Sequence, residues 1–377
     1  MARKRMVLTA CAAALAALAP AQVPDLLNAL DAGGRAMGIG GATDATDSNT
    51  LSTYYNPAGL AYITGPTISV AFRNMPQSDS IITGDFNNPT FDTSREVGAR
   101  RMSHLGYATP ISGGVFGVSF TTGGYLKDFR SQGASLKDGV LNLNAYNEVF
   151  TAQSDFFTVA WGKRSGNSNF GIGLVIANQY ISDIGSYNLV DANNNLVGST
   201  QINNSGNMTG IGGIIGVQIP TSKDGRSMMG ISVRSPISLK NNSVISNYLN
   251  KIPGRASIGL ASRTDSLRDG ADFIVYGAQL DYYFGADKGG FFKRKDVVAG
   301  GVGFEYNMHR SGARIPLRAG YQFVPEGGEN FQHRNTFTFG LGYRPDNSNL
   351  AVDLNFGLPT GGGPYDMGLS MTYKLGH

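Results

Sequence analysis

His104, His309, His333 and His377 are the only imidazoles in the sequence, and none stands in a pattern that would activate a serine or hold a metal. His309 and His333 fall in or beside predicted connections, His104 early in a predicted strand, and His377 at the terminus. A Ser-His-Asp triad need not be close in sequence, yet nothing nearby marks a nucleophile. The stretch DANNNLVG at 191–198 superficially resembles a calcium loop, but Leu196 stands where the turn needs glycine and Ile202 where it needs glutamate. GIGGIIG at 210–216 has the wrong spacing for a dinucleotide loop and lies within a strand pattern. The residue pattern predicts no enzyme, no cofactor and no metal.

Chemistry of another kind is available in residues 123–153, GGYLKDFRSQGASLKDGVLNLNAYNEVFTAQ. Leu126, Phe129, Leu136, Val140, Leu141, Leu143, Tyr146 and Phe150 supply apolar surface. Lys127 and Arg130 are spaced to meet an acid head group by charge-assisted hydrogen bonds. Leu126, Lys127, Phe129, Arg130, Leu141 and Phe150 are therefore candidate contacts for an amphipathic ligand. The competing reading is that the apolar members pack this segment onto its neighbours.

The elements that would carry such a site are strands. TFTFGLGY sets Phe337, Phe339, Leu341 and Tyr343 on one face, with Thr336, Thr338, Gly340 and Gly342 on the other. LAVDLNFG, IPLRAGYQF and DMGLSMTYK repeat the pattern. A period of two with one wholly apolar face means that the two faces meet different solvents. Such strands are expected near 67–73, 102–109, 114–122, 154–163, 169–181, 208–219, 228–235, 255–263, 272–284, 296–308, 313–323, 335–344, 350–357 and 366–375. That makes fourteen, an even number, as single-chain bacterial barrels have.

The connections alternate: 74–101, 123–153, 182–207 and 236–254 are long, and the ones between them short. Periplasmic turns and external loops produce that rhythm, whereas a soluble sandwich has no reason to keep it. Arg234, Arg263, Glu305, Arg318, Asp353 and Lys374 all fall on the more polar face, hence in a lumen. Tyr306, Tyr321, Tyr343 and Tyr373 share the opposite side, as interfacial girdles require.

The N-terminus has a separate purpose. MARKR followed by MVLTACAAALAALAP reads as the basic region and apolar core of a signal peptide, and Ala19-Pro20-Ala21 fits its cleavage pattern. A lipid on Cys11 is the rival reading, but it would leave only Met6 to Ala10 as apolar core. Cleavage after Ala21 removes the single cysteine, so no disulfide framework is expected. It also takes Lys plus Arg from 31 to 28 against 27 Asp plus Glu, a net charge of +1. No basic excess remains to argue for nucleic acid. Beyond residue 21 there is no run of about 18 apolar residues, so no transmembrane helix is expected. Glycine, at 52 of 377 residues, is about twice its usual ~7% share.

Residues 22–66 are too polar to cross a membrane and too few for a core of their own. In NALDAGGRAMGIGGATDATDSNTLSTYYNPAGLA, Pro57 fixes its own φ and biases Asn56 toward extended geometry. Asn56 can bond to local backbone, and Gly59 can take positive φ. This stretch resembles the N-terminal signature of the FadL family of outer-membrane transporters for hydrophobic compounds. GISVRSPISLK, IPGRASIGLASR and IPLRAGYQF are similar as well.

The resemblance implies an all-β fold, a fourteen-stranded antiparallel transmembrane barrel over 67–377, with 22–66 as a lumenal hatch and 1–21 as the signal peptide. Gly40, Gly41, Asn56, Pro57, Ala58 and Gly59 would then sit in the hatch. It also implies passive, hatch-gated uptake of long-chain fatty acids or other hydrophobic small molecules, with sideways release into outer-membrane lipids. Some FadL-like barrels instead serve as shuttles or scaffolds in protein secretion, which would imply a protein partner. The chain departs from the usual pattern at its end, where Tyr373, Leu375 and His377 replace a terminal aromatic.

The signal-peptide reading predicts that intact mass analysis of the exported protein gives an N-terminus at Gln22. A lipid on Cys11 would refute it.

Overall fold

The computed structural model describes residues 23–24, 32–85, 88–132, 136–137, 141–240, 245, 249–267, 271–288, 294–328, 331–360 and 365–376. The expected signal peptide lies outside them. Fourteen strands form the wall. The first six are long: β1 Thr67–Asp85, β2 Asn88–Ile111, β3 Gly114–Gln132, β4 Leu141–Ser165, β5 Ser168–Asp191 and β6 Leu196–Pro220. The remaining eight are shorter. They are β7 Ser227–Arg234, β8 Gly254–Leu267, β9 Asp272–Phe284, β10 Val297–Arg310, β11 Ala313–Val324, β12 Arg334–Pro345, β13 Leu350–Pro359 and β14 Asp366–Lys374. Each pairs antiparallel with its neighbours in sequence, and β14 closes on β1 with Lys374 opposite Thr67.

Closure gives every strand of the wall a neighbour on both sides, so most of the backbone satisfies itself where no water can. Ile172, Leu174, Ile215, Leu260, Leu280, Val302, Phe339 and Leu341 face outward and are exposed, forming an apolar belt. Tyr343 and Tyr373 lie on that side too. Glu305, Arg318 and Asp353 point inward and are buried. No helix among the described residues is long and apolar enough to cross a membrane.

All fourteen expected strands are present, but the stretches 74–101, 123–153 and 182–207 are not loops. Their ladders continue upward from the barrel, and strands of 19–25 residues result. A bilayer needs only about 9–11 residues, so these hairpins project well beyond the belt. Polar residues on both faces hid them from periodicity. The long connection between β7 and β8 also differs from expectation, because it turns back into the barrel. Ile237–Ser238 pairs with Lys251–Ile252, and Lys240 N donates to the Thr209 carbonyl of β6 at 2.7 Å. Residues Val23–Pro24 run parallel to Phe331–Gln332, in the connection between β11 and β12, at the hairpin end.

Val302 sits near mid-height of β10, facing out. Val302→Arg should cost about 2–4 kcal/mol of folding stability in lipid vesicles. Ala351→Arg, on the inner face near the short-turn end, should cost well under half of that in the same urea titration.

Candidate functional site

The leader lies inside the barrel. Helix α1, Arg35–Gly38, ends where Gly40 and Gly41 enter left-handed geometry at φ 64° and 80°, and Gly41 N donates to the Ala36 carbonyl at 2.9 Å. Helix α2, Ser52–Tyr55, passes through Asn56 into a 3-10 helix, Pro57–Tyr62. Asn56 is extended, at φ −149° and ψ 102°, as the following proline requires. Its Oδ1 accepts from Ala58 N at 3.1 Å, and its Nδ2 reaches the carbonyls of Asp44, Val217 and Ile231 at 3.1–3.4 Å. Gly59 does not use the positive φ open to glycine. Its glycine is required by space, since a Cβ there would overlap the Asp47 carbonyl and crowd Ser52.

Glycine on the wall answers glycine in the leader. A Cβ on Gly301 would overlap the Gly40 carbonyl oxygen, and one on Gly303 would strike the Ile39 backbone. On the far side, Pro57 and Ala58 rest on Gly171, and Asn56 rests on Gly216. Leader backbone therefore touches wall backbone, with nothing between.

Polar groups fix the seat. Glu305 of β10 accepts from Arg35 of the leader at 2.8 Å and from Arg318 of β11 at 2.7 Å, and Arg318 pairs with Asp353 at 2.7 Å. Asp44 pairs with Arg255 at 3.1 Å and accepts from Ser232 at 2.6 Å, while Gln279 Oε1 accepts from the Thr43 and Asp44 amides. His104, fully buried, bridges Thr50 of the leader and Thr121 of β3 at 2.9 Å each. Nothing in the neighbouring residues marks that role, because both partners are distant in the chain.

The lumen is two-sided. Along β8–β13 its wall is ion-paired and polar, as described above. Along β4–β6 it is apolar: Phe150, Phe156, Val175, Ile181 and Met208 cluster with Tyr54 and Tyr55 of the leader and with Ile237, Ile245, Leu249 and Ile252 of the infolded connection. Tyr54 packs against Phe156 with ring centroids 5.4 Å apart. A barrel interior of this kind is ordinarily polar, so the apolar side is the distinguishing feature.

The six candidate contacts in 123–153 are divided between the two faces of the projecting hairpins. A bulge between Thr122 and Gly124 sets the register. Lys127 and Phe129 face outward, with Lys127 Nζ 4.7 Å from the Phe129 ring centre. Phe129, Val149, Ile184 and Ile81 line an outer groove of about 790 Å³. Arg130 and Phe150 face inward, and both are buried. Arg130 is engaged by Asp128 at 2.8 Å and Glu148 at 3.1 Å, which leaves Lys127 as the cation beside the outer groove. Burial opposes the Glu148 charge, but Arg130 outweighs it and holds that carboxyl below the ordinary range. For Leu126 and Leu141 only the backbone lies within the description, in β3 and β4.

The wall is interrupted at one level. Pairing of β2 with β3 ends at His104–Thr121. Above it, β3 pairs in parallel with β1, from Gln77–Lys127 to Ile82–Gln132. Residues 122–126 of β3 thus have no ladder partner on that edge. Met75 and Tyr125 fill the gap, and the Arg101 guanidinium covers the Tyr125 ring at 4.9 Å. Gly123, beside it, touches the Tyr54 hydroxyl and Phe156, so the gap adjoins the apolar side of the lumen.

No family model and no curated protein matches this sequence. Solved structures do share the fold. The toluene transporter TodX of Pseudomonas putida is 12% identical, with a TM-score of 0.59, over 93% of this chain and 99% of that one. The toluene transporter TbuX of Ralstonia pickettii is 11% identical, with a TM-score of 0.55 over 93% and 99%. A FadL homologue of Pseudomonas aeruginosa is 14% identical, with a TM-score of 0.56 over 95% and 100%. The chain, a closed fourteen-stranded barrel, shares its fold with these proteins.

Gly301→Val should displace the Gly40 turn while leaving the outward belt intact. In planar bilayers this variant is expected to raise ion conductance severalfold over the wild-type protein. Conductance unchanged from wild type would mean that the leader does not block the lumen at this contact.

Proposed function

We propose that the protein is a passive outer-membrane conduit for hydrophobic small molecules, such as long-chain fatty acids or other apolar compounds, gated by its leader and releasing its ligand sideways into the lipid. The observation that carries this reading is the apolar side of the lumen, which runs beside the stopper and meets the interruption between β2 and β3. An open porin has no use for buried Phe150, Phe156 and Met208 in its interior. The hairpin end is then external, and the short-turn end periplasmic.

In this reading a ligand lands in the outer groove at Phe129, with Lys127 beside any acid head group. It passes the infolded β7–β8 connection, lies along Phe150 and Phe156, and leaves where Met75 and Tyr125 now fill the wall. The leader, seated through Gly40, Gly41 and the Asn56-Pro57-Ala58-Gly59 corner, keeps the lumen shut to water-soluble traffic. The stopper and the gap touch through Tyr54 and Gly123, so a shift of one disturbs the other. Similar folds serve proteins whose names specify toluene transport or likeness to FadL, which favours hydrophobic cargo over ions or sugars.

Uptake of a labelled fatty acid and of toluene by a deletion strain carrying variant genes tests this directly. Phe129→Asp should lower uptake of the cargo about tenfold, roughly the loss from removing one buried aromatic anchor. Tyr125→Ala should raise it. Uptake by the deletion strain equal to that of wild type, for both compounds, would end the proposal.

A further inference from the structure

Gly301 and Gly303 of β10 face inward, and the leader accounts for their missing Cβ atoms. Gly300 faces the other way, toward lipid, where no leader backbone approaches. A Cβ there would meet only the Leu280 Cδ2, at 3.0 Å, and the Gln279 carbonyl, at 3.2 Å. A glycine inside a strand gives up packing and chain entropy, and it often marks a place where something else comes close. With Ala278 of β9 it floors a groove of about 490 Å³ on the outer wall. Leu260 and Leu280 form one bank, Tyr321 and Phe323 the other. That volume falls within the range of small-ligand pockets. The groove lies at the hairpin end of the belt, since Leu280, Gly300 and Phe323 are all within a few residues of the strand ends there. Just beyond it Tyr282 and Phe284 stack, with ring centroids 5.9 Å apart, as an interfacial girdle does. Past the girdle, the β9–β10 connection carries Lys288 and Lys295. Lys288 is exposed and has no ion pair among the described residues. Lys295 has a side chain 56% exposed and is 3.8 Å from Glu326. Its backbone N–H donates to the Gly327 carbonyl at 2.8 Å, which holds it over the junction of β10 and β11, in line with the groove. Five residues separate it from Gly300, about 17 Å along a strand, or about 13 Å along the membrane normal at a tilt of about 40°. The hydrocarbon of one leaflet is about 15 Å deep. Cation and groove are one lipid apart.

We propose that this groove binds a phosphorylated glycolipid of the outer leaflet, of the lipid A type, with one acyl chain on Gly300 and Ala278 and a phosphate at Lys288 and Lys295. The proposal takes its orientation, hairpin end outward, from the conduit reading above and is independent of the cargo. A convex belt touches a neighbouring chain on one side, whereas the groove touches it on three, and dispersion sums over those contacts. The two ammonium groups are point charges on flexible stems and meet a phosphate without needing a fixed fork. Basic clusters at a membrane surface are a recurrent form of lipid recognition. A zwitterionic phospholipid would fill the groove equally well but would gain less from the lysines, so charge selects the anionic lipid. A second copy of the chain is disfavoured, because a two-fold axis along the membrane normal would bring the same lysines together at one level.

The test is lipid retention by native mass spectrometry on the purified protein in mild detergent. It is titrated with hexa-acylated, bisphosphorylated lipid A, with the dephosphorylated form, or with phosphatidylethanolamine. Wild type should hold one bisphosphorylated molecule at least about tenfold more tightly than phosphatidylethanolamine. Gly300→Leu, which fills the groove, should weaken both forms of lipid A about tenfold. The double variant Lys288→Gln, Lys295→Gln should bring the bisphosphorylated form down to the level of the dephosphorylated one, and leave the latter within about twofold. Gly213→Leu controls for added bulk and should match wild type, because it lies on the outward face of β6 with only the Gly173 carbonyl nearby, at 3.8 Å. Heat-modifiable gel mobility reports whether each variant retains the barrel. Wild-type retention by a folded Gly300→Leu overturns the groove assignment. An unchanged preference for phosphate in the lysine double variant, or equal retention of phosphatidylethanolamine by wild type, overturns the choice of lipid. A wild-type dimer that Gly300→Leu dissociates gives the groove to a second copy and likewise overturns the proposal. The uptake assay in the deletion strain decides the conduit reading separately.

Discussion

The structure depends on one close contact: leader backbone laid directly on strand backbone, inside a cylinder that has little water to spare. A polypeptide placed in such a lumen must satisfy its amides and carbonyls locally or with the wall. Here both are done. Short helical turns settle part of the requirement, and Gln279, Asn56 and Gln218 carry side-chain amides across to the remaining carbonyls and N–H groups. That approach is possible only where Cβ atoms are missing, as at Gly301, Gly303 and Gly171. The glycine excess of the chain is thus largely a record of where the stopper sits, beyond what turns alone would need.

Charge placement follows from the same contact. Buried ion pairs contribute little net stability, because desolvation offsets most of the Coulomb attraction. What they do is fix position: Arg35 has low energy only when Glu305 is opposite, and Asp44 only when Arg255 and Ser232 are. The ion-paired wall therefore acts as a seat with a single register. The apolar cluster along β4–β6 carries no ion pair to the leader among the described residues and its contacts are non-directional, although Gln218 and the Val217 carbonyl hold the leader by hydrogen bonds lower on β6. One side of the lumen fixes the leader's register, and the other packs against it through apolar contacts.

Much of this was legible from residue order, and the exceptions have physical causes. In the belt the two faces meet lipid and lumen, so strands such as 335–344 announced themselves. Above the belt the outer face leaves lipid and the buried inner face includes polar residues such as Glu148 and Asp183, so the contrast fades, and the upper parts of β4 and β5 read as loops although their ladders continue. Ile237, Ile245, Leu249 and Ile252 follow no period, so an infolded connection looked like an external one. The Asn56-Pro57 corner was readable because proline acts on its immediate neighbour. For Gly59 the residue type suggested turn freedom, but its cause is an approaching carbonyl from twelve residues earlier. Phe129 and Arg130 seemed equally available to a ligand, but strand alternation past the Thr122–Gly124 bulge sends one out and the other in. His104 gave no signal at all, since its partners Thr50 and Thr121 converge only in the folded chain.

The interruption between β2 and β3 has its own sequence logic. A closed antiparallel ladder resists opening because every broken pair leaves a donor and an acceptor exposed to hydrocarbon. The cheapest place to break is where donors are already missing or the strand already bends. Pro76 has no N–H to offer, and the β1–β2 register shifts between Asn74 and Pro76. Across the gap, Gly123 and Gly124 sit at the bulge of β3, where glycine accepts the local kink. Beyond these points β1 pairs with β3, so β3 lacks a partner on that edge only over residues 122–126, while β2 above His104 pairs with β1 alone. Met75 and Tyr125 then cover the exposed edge with side chains, whose removal opens no further backbone. The result is a wall with weak pairing at one level, firm pairing above and below, and a side-chain filler between, which is the combination that the proposed sideways release calls for.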